Sequence, residues 1–175
     1  MTIKRLLVAN RAEIARRVFR TAREMGIFTV AVYSEGDSEA PFVGDADLAV
    51  ALNGTTAADS YLNAEKILSA AKSVGADAIH PGYGFLSENK EFAQTLAENN
   101  IEFIGPPASS IHSMGDKIES MRIAEEAGVS CAKRFDGECA TVEHAMKIAN
   151  DVGYPIIMKA SAGGGGKGMR IAWTE

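Results

Sequence analysis

"IKRLLVANRAEIARRVFRTAREMGIFTVAVY", Ile3 to Tyr33, changes its hydrophobic period twice, and those changes decide the fold. Ile3 to Ala9 is a short apolar run, the pattern of a buried strand. From Ile14 the apolar residues fall at Ile14, Ala15, Val18, Phe19, Ala22 and Met25, which lines one face of a helix. Gly26 stands where a helix end favours a left-handed residue. Ile27 to Tyr33 is apolar again, a second buried strand. Strand, helix and strand in so short a stretch predict a right-handed crossover between parallel strands.

The alternation continues outward. Asp47 to Leu52 reads as a weaker third strand. Asn63 is placed to cap a helix over Ala64 to Val74, with Gly75 after it and a strand at Ala76 to His80. Ser87 is expected to cap the next helical run, with Glu88 in its first turn. Ile101 to Gly105 is a further strand. Up to this point the pattern is that of an α/β domain with a doubly wound parallel sheet.

After Gly105-Pro106-Pro107 the pattern shifts. One helix is expected from Gly115 to Gly128, with Asp116 near its start, and another from Ala140 to Gly153 with Thr141 as N-cap. Two strands come next, Tyr154 to Ser161 and Lys167 to Trp173. Two strands and two helices cannot cover both faces of a sheet, so this second unit is expected to be incomplete within the 175 residues.

Composition narrows the function. A hydrophobic content of 46% with 23% charged residues is that of an ordinary globular protein. The net charge of −5 gives no general affinity for nucleic acid or anionic membranes. The apolar runs fall short of the roughly 20 residues of a membrane span. A strand pattern directly after Met1 argues against a signal or transit peptide. Cys131 and Cys139 match no metal or redox spacing. The expected setting is the reducing cytoplasm.

Two stretches carry chemistry. "KASAGGGGKGM", Lys159 to Met169, holds four consecutive glycines. A linker is excluded, because strand patterns flank the run on both sides. A Walker A loop is excluded too: aligned on Gly166-Lys167, it would put Ser161 at its first glycine and Gly168 where Ser or Thr is required. A dinucleotide-binding turn should be followed by a helix, and here a strand follows. Nor does such a motif follow the first strand, where "VANRAEIA" stands, so a nicotinamide-dependent enzyme finds little support. Two readings remain: a plain flexible hairpin tip, or a hairpin whose bare amides lie over an anionic ligand, with Lys159 and Lys167 adding charge. The second stretch, "HPGYGFLSEN" (His80 to Asn89), leaves the C-terminal end of a strand, where open α/β sheets bind ligands. It reads equally as a structural turn burying Tyr83 and Phe85.

Taken together, "ANRAEIARRVFRTAREMGI", "TVAVYS", "DAIHPGYGFLSEN", "FIGPP", "MGDKIESM" and "KASAGGGGKGMRIAW" closely resemble the biotin carboxylase component of acyl-CoA carboxylases, of the acetyl- and propionyl-CoA type, in the ATP-grasp superfamily. The resemblance spans essentially the whole chain. It implies a pre-ATP-grasp domain over residues 1–113 and the beginning of an ATP-grasp domain over 114–175, with the glycines as its lid. It implies an ATP-dependent C–N ligase that uses ATP and Mg²⁺ to activate bicarbonate as carboxyphosphate, then carboxylates N1′ of protein-bound biotin.

By position, the resemblance implies that Lys117 and Lys159 contact the nucleotide phosphates. Gly163, Gly164, Gly165 and Gly166 would close over them, and Met169 would line the nucleotide pocket. Tyr83 and Gly84 would face the biotin side. Arg17, Arg20 and Glu24 would lie near a homodimer contact. The implied partners are a biotin carboxyl carrier protein or domain and a carboxyltransferase subunit. The Mg²⁺ ligands, a bicarbonate-binding arginine and the catalytic carboxylate are expected beyond Glu175. No catalytic residue is therefore expected within the chain, and the 175 residues alone are expected to be inactive. The alternative is a non-catalytic nucleotide-binding or dimerising module. There are departures. Ala12 stands where the family usually has glycine, a change expected to touch no chemistry. "VSCAKRFDGE" lacks the family's proline after the valine.

Overall fold

The computed structural model describes residues 2–115, 117–135, 137–159 and 168–175, with Lys117 and Ile118 described by backbone alone. The expected lid, Gly163 to Gly166, and Lys167 lie outside the described residues. The crossover predicted at the N-terminus forms the middle of a sheet. β1 (Arg5–Val8), α1 (Ala12–Glu24) and β2 (Phe28–Tyr33) succeed one another, and β1 pairs with β2 in parallel from Arg5↔Phe28 to Val8↔Ala31. β3 (Leu48–Ala51), β4 (Ala78–His80) and β5 (Glu102–Phe103) complete it in the order β3-β2-β1-β4-β5, with every pairing parallel.

Successive residues of β1 serve opposite faces, and both faces are buried. Leu7 joins Val30, Val32 and Ile79 on one face, under Ile67 of α3 (Ala64–Ser73) and Phe92 and Leu96 of α4 (Lys90–Glu98). Leu6 and Val8 join Ala31 on the other, under Ala15 and Phe19 of α1 and Phe42 of α2 (Pro41–Asp45). A sheet covered on both faces explains why its strands read as unbroken apolar runs rather than alternating ones.

The helix ends show which local signals decide. Gly26 takes φ +73° after α1, as a left-handed C-terminal residue should. Asn63 caps α3, its side chain accepting from the Lys66 N–H at 3.0 Å. The cap expected at Ser87 falls instead at Asn89, which accepts from the Phe92 N–H at 2.8 Å, so α4 begins at Lys90. Residues 84–89 are occupied by their own turn: Ser87 N–H donates to the Gly84 carbonyl and Asn89 N–H to the Leu86 carbonyl. Glu88 thus precedes the helix, and Glu91 takes the first turn. Ala12 opens α1 at φ +53°, in the left-handed region, where a Cβ costs on the order of 1 kcal/mol that a glycine escapes. The departure at Ala12 is therefore a matter of backbone strain.

α5 (Ala108–Gly115) is not legible in the sequence, since Ile111 is its one buried residue. Of the helix expected over Gly115 to Gly128, Gly115 is described as the last residue of α5 and Lys117–Glu126 as α6, and Asp116 lies outside the described residues. The chain divides into two compact units, residues 1–116 and 117–175. The second holds α6, α7 (Val142–Val152) and an antiparallel pair, β6 (Ile156–Met158) and β7 (Arg170–Ala172), in register Met158↔Arg170. Thr141 caps α7 as expected, accepting from the His144 N–H at 3.2 Å. Ile157, Ile171 and Trp173 of the hairpin region are exposed.

Candidate functional site

The chain leaves β1 towards β2 on one side, while β4 lies on its other side, so the strand order reverses between β1 and β4. Open α/β sheets bind ligands at the carboxyl ends of strands at such a point. Ala9 N–H donates to the His80 carbonyl at 2.9 Å, carrying the β1–β4 ladder to its end. The next residue, Asn10, is buried and meets the turn after β4. Its Nδ2 donates to the carbonyls of Pro81 and Tyr83, at 2.8 Å each, and its Oδ1 accepts from the Arg11 N–H at 2.9 Å.

Three residues of that turn, Gly82, Gly84 and Phe85, lie at φ +65°, +66° and +43°. Gly82 has a second reason to be glycine: a Cβ there would stand 2.7 Å from Asn10 Nδ2. Its N–H donates to His80 Nδ1 at 2.9 Å, which fixes the neutral ring with its proton on Nε2. Burial, and then the charge of Arg17, hold His80 below the usual histidine range. The two aromatic residues of the turn part company. Phe85 is half-buried and stacks on Tyr61, ring centroids 5.2 Å apart. Tyr83 stays 60% exposed, and its hydroxyl donates to Glu13 of α1, a bond that raises the phenol's pKa.

A part-buried polar network beside this turn has no counterpart among the expectations from sequence. Asp37, in a short 3₁₀ turn after β2, accepts from Arg11 through Nε at 2.8 Å and Nη2 at 2.6 Å, from Tyr61 Oη at 2.6 Å and from Ser34 Oγ at 3.1 Å. The Arg11 bonds hold the Asp37 carboxyl below the usual carboxylate range, against the cost of burial. Burial, then the bond to Asp37, pushes the Tyr61 phenol up to about 12. Arg11, Asp37 and Tyr61 are separated by 26 and 24 residues, so nothing in local spacing signals that they meet.

Arg17, Arg20 and Glu24 are all exposed on α1, at a spacing that puts them on one face. In the second unit, Lys159 follows β6 and Met169 precedes β7, so the register Met158↔Arg170 sets both at the same end of the hairpin. Both are exposed. The lysine offers a cation and the methionine an apolar surface. Lys117 is the first residue of α6. Among the described residues, no group of three or more His, Cys, Asp or Glu side chains is placed to hold a metal. No helix among them is long and apolar enough to cross a membrane.

Comparison with known proteins gives the same division. The family model described as biotin carboxylase, N-terminal domain, matches residues 2–111. The model described as carbamoyl-phosphate synthase L chain, ATP binding domain, matches residues 116–175. The propionyl-CoA carboxylase alpha chain of Ruegeria pomeroyi is 52% identical over 171 residues, which is 98% of this chain and 25% of that protein. Among solved structures, the biotin carboxylase–beta-gamma-ATP complex from Campylobacter jejuni superposes with a TM-score of 0.93 at 45% identity, over 99% of this chain and 39% of that one. The biotin carboxylase domain of the Hydrogenobacter thermophilus 2-oxoglutarate carboxylase, solved with MgADP, ADP and bicarbonate, gives 0.90 at 51% identity, over 98% of this chain and 38% of that one. The chain thus spans well under half the length of each of these proteins.

Proposed function

Since the chain belongs to the biotin carboxylase family, we propose that it is the N-terminal portion of the biotin carboxylase of an acyl-CoA carboxylase, an ATP-dependent C–N ligase acting on protein-bound biotin. One observation carries this reading: the two family models match in order along the chain, one over each compact unit. We set the domain boundary near residue 113.

The described hairpin suits a nucleotide. Lys159 and Met169 stand exposed at the end that leads into the glycine run, so the lysine would draw in phosphate oxygens and the methionine would meet an apolar ring. Gly163 to Gly166 and Lys117 complete this assignment on the resemblance alone. The chemistry supplied at the site is phosphoryl transfer from ATP to bicarbonate. The described residues do not form a site for Mg²⁺, so no metal step is assigned to them. Tyr83 and Gly84 would face biotin from the reversal point of the sheet. Arg17, Arg20 and Glu24 would meet a second copy, and the carrier protein and carboxyltransferase subunit would be the further partners. A cytoplasmic setting belongs to the proposal, supported by two free cysteines.

The test is biotin-dependent phosphate release from ATP and bicarbonate by the complete carboxylase chain. Lys159→Gln should raise KM for ATP roughly tenfold, the worth of one charge-assisted hydrogen bond. The 175 residues alone should bind ATP without turnover. Binding without turnover by the complete chain would favour a non-catalytic nucleotide-binding module. Turnover by the 175 residues would place the chemistry in residues assigned only to binding.

A further inference from the structure

We propose that Asn10 is a positioning residue for Tyr83: it fixes the backbone of the turn after β4, and through it the direction in which Tyr83 and Gly84 face biotin. This rests on the reading of Tyr83 and Gly84 as the biotin side.

Asn10 is 3% exposed, and both of its amide hydrogens go to one turn, to the carbonyls of Pro81 and Tyr83. Its oxygen is taken by the Arg11 N–H. Only a carboxamide supplies two donors and an acceptor in that small planar head. A carboxylate of the same shape would set an oxygen against two carbonyl oxygens, and a hydroxyl has a single hydrogen to give.

The turn requires such a hold. Gly82, Gly84 and Phe85 lie at positive φ, and at Phe85 a Cβ makes that conformation unfavourable. Backbone strain of this kind persists only where the surroundings impose it. The turn also lies directly on the amide, as the 2.7 Å from a Gly82 Cβ to Asn10 Nδ2 requires. Tyr83 is 60% exposed, so its ring is not fixed by packing. Its hydroxyl is held by Glu13 of α1 at one end, and Asn10 holds its backbone by the carbonyl at the other. Asn10 itself is buried under the turn and does not reach solvent, so its effect on biotin must pass through Tyr83 and Gly84.

Asn10→Asp separates the possibilities, and Asn10→Ser replaces it if the carboxylate prevents folding. In the complete carboxylase, Asn10→Asp should raise KM for free biotin roughly tenfold and leave KM for ATP within about twofold, since a lost buried hydrogen bond acts on one ligand only. In the 175-residue chain, the Gly82 and Gly84 amide resonances should move while that of Gly26, after α1, stays in place. Unmoved Gly82 and Gly84 resonances would overturn the proposal whatever the kinetics. An equal rise in both KM values would overturn it in favour of a general structural role. If the resonances move and KM for biotin does not, Tyr83→Ala decides. Should Tyr83→Ala also leave that KM unchanged, the biotin assignment fails and the hold on the turn stands. Should it raise that KM, the positioning role of Asn10 is overturned.

Discussion

Protonating His80 would cost the turn after β4 a hydrogen bond, because its Nδ1 accepts from the Gly82 N–H at 2.9 Å and cannot do so with a proton of its own. Burial, and then the nearby Arg17, already disfavour the charged ring. The folded chain therefore binds a proton at His80 less readily than the unfolded chain, whose histidine titrates near 6.5. As pH falls below that value, the unfolded state takes up a proton that the folded state refuses, so stability must fall with it. Urea midpoints at pH 7.5 and pH 5.5 should show this loss, and in His80→Asn, where the amide oxygen can still accept, the loss should shrink. An unchanged pH dependence in that variant would mean that other groups carry it. At this scale the sequence is partly legible. Tyr83 and Gly84 sit in a contiguous motif that names them. Arg11, Asp37 and Tyr61 reach one another only because β1, β2 and the segment before α3 end side by side, and pairings made by topology leave no trace in local spacing.

Among the elements, the start of α4 shows how a local signal can be present and still lose. Ser87 and Asn89 both have cap chemistry, and both precede the same apolar periodicity. What decides between them is the turn over residues 84–89, which takes up the Ser87 N–H and buries Leu86. Asn89→Ala should lower stability by about 1 kcal/mol, the usual worth of an N-cap, and Ser87→Ala should lower it far less. Denaturant midpoints of the two variants check this directly, and equal losses would contradict the assigned cap. Asn63 and Thr141 cap where their spacing predicts, Asn63 directly after a turn of its own in which its N–H donates to the Ser60 carbonyl. α5 is illegible for a different reason: a helix that buries little has no apolar stripe to betray it.

For the whole molecule, the first unit holds both of its cores within itself. Each face of the sheet is closed by helices of the same unit, from α1 and α2 on one side and α3 and α4 on the other. Residues 1–115 alone should therefore unfold in a single cooperative transition, with fluorescence and circular dichroism giving the same midpoint. Divergent midpoints, or a molten product, would show that this unit depends on residues of the second. The doubly wound sheet is legible because parallel strands covered on both faces announce themselves as apolar runs. Its shortest strand has a consequence of another kind. β5 offers only Glu102 and Phe103 at the margin of the sheet, with Glu102 exposed. A foreign chain docking there would find two residues of ladder and a carboxylate in its path, too little to hold a register. On that side the sheet ends in a strand too short to serve as a template, and growth into a larger assembly by strand addition stops there.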